Sequence, residues 1–141
     1  MPIRENTLKF LAVESMNRTI LVVDDSAMIC HVVAQILKES GYTVLTAKNG
    51  REGCEMAKKH DPHLIIMDVE MPIMDGIQAT TLIKAEPKTS HIPIIIFTSL
   101  GGEQDIKRAK DAGCQGFLNK PISKDAIQFE IAKFMGGSRQ I

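Results

Sequence analysis

Apolar residues along this chain follow two alternating rhythms. Short unbroken runs, Ile20-Leu21-Val22-Val23, Leu64-Ile65-Ile66-Met67 and Ile94-Ile95-Ile96-Phe97, are separated by longer stretches with helical spacing of their apolar positions. The runs read as buried strands and the longer stretches as amphipathic helices. This pattern predicts strands at 19–24, 43–47, 63–68, 92–98 and 116–119, and helices at 27–39, 50–59, 76–85, 103–112 and 124–135. The punctuation agrees: Gly41 and Gly113 stand where helix C-caps are wanted, Asp61-Pro62 and His91-Ile92-Pro93 precede strands, and Ser123 can cap the last helix.

Five βα units in succession imply a parallel sheet with helices on both faces. Strands one, three and four are continuously apolar, as central strands covered on both sides should be, whereas Thr43-Val44-Leu45-Thr46-Ala47 alternates and reads as an edge. The expected fold class is α/β, a doubly wound, flavodoxin-like (βα)5 domain with strand order 2-1-3-4-5. Ligands of such sheets bind at the carboxyl ends of the strands.

Four of the strands end at polar groups: Asp24-Asp25, Asp68, Thr98-Ser99 and, after Gly116-Phe117-Leu118-Asn119, Lys120-Pro121. A carboxylate is costly to bury, so an acid at the tip of a core strand is a candidate for chemistry. With neighbouring strands about 4.8 Å apart, Asp25, Asp68 and Thr98 fall on adjacent strand ends, and the long side chain of Lys120 can reach back toward them. Three crowded carboxylates raise one another's pKa unless a cation neutralises them. All-oxygen donors that leave room for water and phosphate oxygens suit Mg²⁺, with Asp24, Asp25 and Asp68 as ligands and the Glu70 backbone carbonyl as a further one. Asp68 could then attack a phosphoryl group to form an acyl phosphate, while the metal, Lys120 and the Thr98 hydroxyl each take one equatorial oxygen.

Composition narrows the field. The chain has 141 residues, room for one core, with 44% hydrophobic and 24% charged residues. Lys+Arg and Asp+Glu are 17 each, which leaves no net field for a nucleic-acid backbone, and no apolar stretch approaches the roughly 20 residues of a membrane span. Cys30, Cys54 and Cys114 are odd in number and lack metal spacing, which suits reduced thiols in a cytoplasmic protein; His60-x-x-His63 spans an Asp-Pro turn and makes no helical metal face.

Asp24-Asp25, Asp68 followed by Met71-Pro72-Ile73-Met74-Asp75-Gly76, Thr98-Ser99 and Lys120-Pro121 together resemble the receiver domain of bacterial two-component response regulators. Each motif alone is unspecific; four in order at the ends of the expected strands are not. The resemblance covers about residues 18–136, with residues 1–17 expected to be an extension, disordered or not native, and 137–141 a frayed tail. It implies that Asp68 is the phosphoacceptor, Asp24 and Asp25 the acid pair, Thr98 the switch hydroxyl, Lys120 the phosphate-sensing lysine on a cis Lys120-Pro121 bond, and Phe117 the aromatic switch. Phosphate would come from a sensor histidine kinase or a histidine phosphotransfer domain. The phosphorylated protein would act as a switch, chemotaxis-like, by binding a protein target through helix four, strand five and helix five. It would be no enzyme beyond promoting its own phosphorylation and dephosphorylation, and a monomer or weak homodimer.

Rival readings differ at named positions. A phosphorelay intermediate or phosphate sink shares every motif. An aspartate-nucleophile phosphatase would want Asp-x-Asp after strand one, where this chain has Asp24-Asp25-Ser26, and Asp24-Asp25 would repel the phosphate of a flavin carrier. Taken singly, Asp24 or Asp25 reads as a helix N-cap, Asp75 as a cap or turn residue and Phe117 as core. Glu70 and Leu100, each two residues past a key position, flank the route of a hydrolytic water. The chain is expected to stop after helix five, which would make it a stand-alone receiver.

Overall fold

In the computed structural model, residues 18–99 and 102–135 are described. The expectations for residues 1–17, for Leu100 and for 137–141 lie outside them. Strands β1 (Thr19–Val23), β2 (Thr43–Ala47), β3 (Leu64–Met67), β4 (Ile94–Thr98) and β5 (Gly116–Asn119) form one sheet in the order β2-β1-β3-β4-β5, all pairs parallel. They alternate with helices α1 (Ala27–Glu39), α2 (Gly50–His60), α3 (Gly76–Ala85), α4 (Glu103–Ala112) and α5 (Lys124–Ala132). This is the doubly wound, flavodoxin-like arrangement with β2 at an edge.

The period of two along each strand sorts its side chains between two cores. Val22, Ile66, Ile95, Phe97 and Leu118 pack with Val33 and Leu37 of α1 and Ile127 and Ile131 of α5. Val23, Met67, Ile94 and Ile96 pack with Ala57 of α2, Ala79 and Ile83 of α3 and Ala109 of α4. Helices α1 and α5 therefore cover one face and α2, α3 and α4 the other. Continuing that alternation past the strand ends puts Asp24, Asp68 and Lys120 on the α1/α5 side and Thr98 with Phe117 on the opposite side.

Most element bounds agree with the apolar pattern to within a residue; two ends differ, for physical reasons. Pro93 has no N–H for the ladder, so β4 begins at Ile94, while Ile92 closes a turn onto Thr89 and is still fully buried. Helix α5 stops at Ala132, and a turn returning Phe134 and Met135 N–H to Ile131 carries Met135 into the core, which prolongs the apolar periodicity beyond the helix.

Four of the five helix starts use polar side-chain caps, and α4 starts at Gly102 without one. Ser26, rather than Asp24 or Asp25, caps α1 by accepting from Ile29 N–H; Asn49 and Ser123 cap α2 and α5, and Asp75 forms a reciprocal capping box with Gln78. At the end of α1, Gly41 N–H bonds Lys38 O and Tyr42 N–H bonds Leu37 O, so Gly41 lies one position beyond the cap residue Ser40, in a Schellman turn. Gly113, with φ 107°, is itself the C-cap of α4.

Among the described residues one buried side-chain polar atom has no partner, the Thr80 hydroxyl on the inner face of α3, fully buried. A desolvated, unbonded hydroxyl is a net cost. Thr80→Val keeps the shape and removes it, so the variant should be more stable by about 1 kcal/mol, read by urea denaturation. A midpoint below that of the wild type would show that the hydroxyl is satisfied in solution.

Candidate functional site

The site forms where β1, β3, β4 and β5 end. Asp24 follows Val23 directly and its backbone N–H bonds Ala47 O of β2; Asp68 follows Met67 and its N–H bonds Val23 O. Both acids are thereby held by the sheet's own ladder, one residue past the last strand pair. Asp24 and Asp68 are 2% and 5% exposed, whereas Asp25 is open to solvent. One carboxylate oxygen from each of the three lies within 4.8 Å of the others.

Lys120 crosses from β5 to meet them. Its Nζ stands 2.9 Å from Asp24 Oδ2 and 3.3 Å from Asp68 Oδ1, and 5.4 Å from the centroid of the Phe97 ring beneath it. The backbone that delivers it is anchored by Lys120 N–H on Thr98 O, and the Lys120-Pro121 bond is cis. Asp24 Oδ1 accepts from Ser26 N–H and Asp68 Oδ1 from Val69 N–H.

These contacts divide the electrostatics. Burial, with the neighbouring Asp24 charge, lifts the Asp68 carboxyl from 3.8 to about 6 against the opposing pull of Lys120 and Val69 N–H. Burial alone would lower the Lys120 ammonium, but Asp24 and Asp68 outweigh it and its pKa is raised. Among the described residues a single ammonium pairs with these acids, which leaves the cluster short of positive charge. An all-oxygen donor set of three carboxylates with that deficit fits a hard divalent cation.

Thr98, 1% exposed, ends β4 on the same sheet face as Phe117, since Ile96 pairs with Phe117 and Thr98 with Asn119. Phe117 is half-buried and borders a cavity of about 420 Å³ with Ile106, Lys110, Gln115 and Glu130, between α4, β5 and α5. Glu70 is exposed in the loop that follows Asp68. That loop turns sharply at Gly76, whose N–H bonds Val69 O; a Cβ there would stand 1.8 Å from Asp68 O, so only glycine fits.

The structure brings Asp24, Asp25, Asp68 and Lys120 together as their places at the strand ends imply, and puts Thr98 at the end of β4 on the opposite sheet face, which it shares with Phe117. Sequence reasoning missed two features. Lys120 sits closer to Asp24 than to Asp68, and the Cys30 thiol, from one turn into α1, donates to Asp24 O at 3.3 Å. Burial, reinforced by Asp24, pushes that thiol up to about 11, so it stays protonated and unreactive. Only the six-residue spacing from Asp24 to Cys30 pointed to it, and that spacing has no helical or strand signature.

Residues 20–132 match the family model of the response regulator receiver domain. The chain is 40% identical to the chemotaxis protein CheY of Halobacterium salinarum over 83% of its length and 96% of the relative's. Among solved structures, CheY4 of Vibrio cholerae superposes with a TM-score of 0.79 at 30% identity, covering 83% of this chain and 98% of that one. The receiver domain of a Pseudomonas aeruginosa sensor histidine kinase, solved with a magnesium ion in its active-site cleft, gives 0.79 at 28% identity over 84% and 98%. A family match across most of the fold, together with these relatives, shows that the chain belongs to the response regulator receiver domains of two-component signalling.

Proposed function

We propose that this receiver accepts a phosphoryl group on Asp68 from a phosphohistidine donor and signals by binding a protein partner in its phosphorylated form. The observation that carries the reading is the convergence of Asp68, Asp24 and Lys120 within hydrogen-bond and ion-pair distance at the strand ends. Asp24, Asp25 and Asp68, with the Glu70 backbone carbonyl, would hold Mg²⁺, which supplies charge neutralisation to the incoming phosphoryl oxygens.

Val69 N–H and Lys120 both engage Asp68 Oδ1, so Oδ2 is the oxygen assigned as nucleophile. It forms the new bond to phosphorus as the bond from phosphorus to the donor nitrogen breaks, and the donor imidazole leaves with that electron pair. No general base is needed, because the nucleophile is a carboxylate. Lys120, already aimed at the acids, moves its charge onto a phosphoryl oxygen, and the Thr98 hydroxyl is drawn toward another.

Movement of Thr98 opens room on the face it shares with Phe117. The ring turns inward, and the surface of α4, β5 and α5 around the cavity it borders changes shape, a shift between two packings of one fold. Phosphotransfer from a phosphohistidine-bearing domain, followed by peptide mapping after trapping the acyl phosphate, tests the assignment. The label is expected on the peptide that contains Asp68; label confined to another peptide would sink it.

A further inference from the structure

The loop from Asp68 to α3 is pinned at two ends, and only the near one lies at the site. At the near end Gly76 packs against Asp68 and bonds Val69 O. At the far end the first residue of α2, Gly50, donates its N–H to Met74 O at 2.9 Å. Met74 N–H in turn bonds Pro72 O at 2.7 Å around Ile73, whose φ is 71°. A two-residue return with a positive φ at its centre is the strained form of γ-turn, and a β-branched residue there is a backbone outlier. Ile73 is 73% exposed, so side-chain burial does little to hold it in that conformation.

What holds it is Gly50. A Cβ on Gly50 would stand 2.5 Å from Met74 O, 2.9 Å from Asp75 O and 3.1 Å from the Ala79 Cβ. The absence of that atom lets α2 approach the loop closely enough to bond it. In the sequence Glu70 lies between Val69, bonded by Gly76, and Met74, bonded by Gly50, so both anchors bound the stretch that carries its carbonyl. Strain stored next to a functional site, and over-determined by a neighbouring element, is the usual form of preorganisation.

Resting on the reading of the acid cluster as a Mg²⁺ site, we infer that Gly50 is a positioning residue for that site: by clamping the Pro72–Met74 turn it fixes the loop that presents the Glu70 carbonyl, while Asp68 is held by the sheet. The clamp ties the start of α2, more than twenty residues away in sequence, to metal affinity.

Mg²⁺ titration of the unphosphorylated protein, followed by amide chemical shifts, separates positioning from stability. Gly50→Ala should need about tenfold more Mg²⁺ for half-saturation, the scale seen when groups supporting metal ligands are disturbed. Gly113→Ala, which strains a positive-φ cap beside Lys84, should lower the melting temperature without moving the Mg²⁺ midpoint. Should Gly50→Ala not fold, Ile73→Pro decides: proline cannot hold the positive φ, so the turn that Gly50 clamps is lost at an exposed position, and Mg²⁺ should again bind about tenfold more weakly. Wild-type affinity in either folded variant, or an equal shift in Gly113→Ala, overturns the inference. A wild-type protein that binds no Mg²⁺ overturns the metal reading itself, and this inference with it.

Discussion

Lys120→Met should destabilise the metal-free protein by about 3 kcal/mol, the scale expected when one partner of a buried ion pair is removed. Lys120 is the cation that touches both Asp24 and Asp68, and these acids are 2% and 5% exposed. Without it two carboxylates face each other out of water with no opposing charge. The loss should be largely reversed by Mg²⁺, because a divalent ion can compensate the same acids, so the rise in melting temperature on adding Mg²⁺ should be larger in the variant than in the wild type. Equal rises, or an unchanged metal-free melting temperature, would mean that Lys120 does not neutralise the cluster in solution.

Asp68→Asn should act in the opposite direction on stability while abolishing phosphorylation. The folded-state carboxyl is raised from 3.8 to about 6, so the folded protein binds the proton more tightly than the unfolded chain does. Stability of the metal-free wild type should therefore fall as pH rises from about 4 through about 6, and the full cost is present above that range. Asparagine carries no charge at any pH. In EDTA at neutral pH the variant should gain on the order of 2 kcal/mol, and its melting curve should lose the wild type's downward trend through this window. A variant that is less stable than the wild type under these conditions would show that Asp68 is not penalised in the folded state.

Opposite signs for two residues 3.3 Å apart express one idea: crowding the acids together carries a cost that Lys120 only partly offsets. The same idea explains what was legible in the chain. Runs such as Leu64-Ile65-Ile66-Met67 exist because central parallel strands are buried on both faces, and the polar residue that ends each run marks where the sheet meets solvent. Both are local signals. Asp24, Asp68, Thr98 and Lys120 could therefore be placed at one edge from spacing and strand order alone.

What escaped was non-local. The preference of Lys120 for Asp24 depends on strand twist and on the few tenths of an ångström between two partners. Gly50 lies in a stretch whose composition suggests only an ordinary helix start after Asn49. Its role comes from the approach of Met74, and no local rule connects those positions. The early stop of α5 was hidden because Met135 keeps the apolar period through a turn. Ile73 gave no warning either, since a β-branched residue is among the last expected at positive φ.

The claim that Asp68 is the phosphoacceptor is tested most directly by intact mass. Wild-type protein and Asp68→Asn would be incubated with a small acyl-phosphate donor, each with Mg²⁺ and with EDTA. A single phosphoryl increment on the wild type in Mg²⁺, lost in EDTA and absent from Asp68→Asn, is the result expected here; the same increment persisting in Asp68→Asn would contradict it.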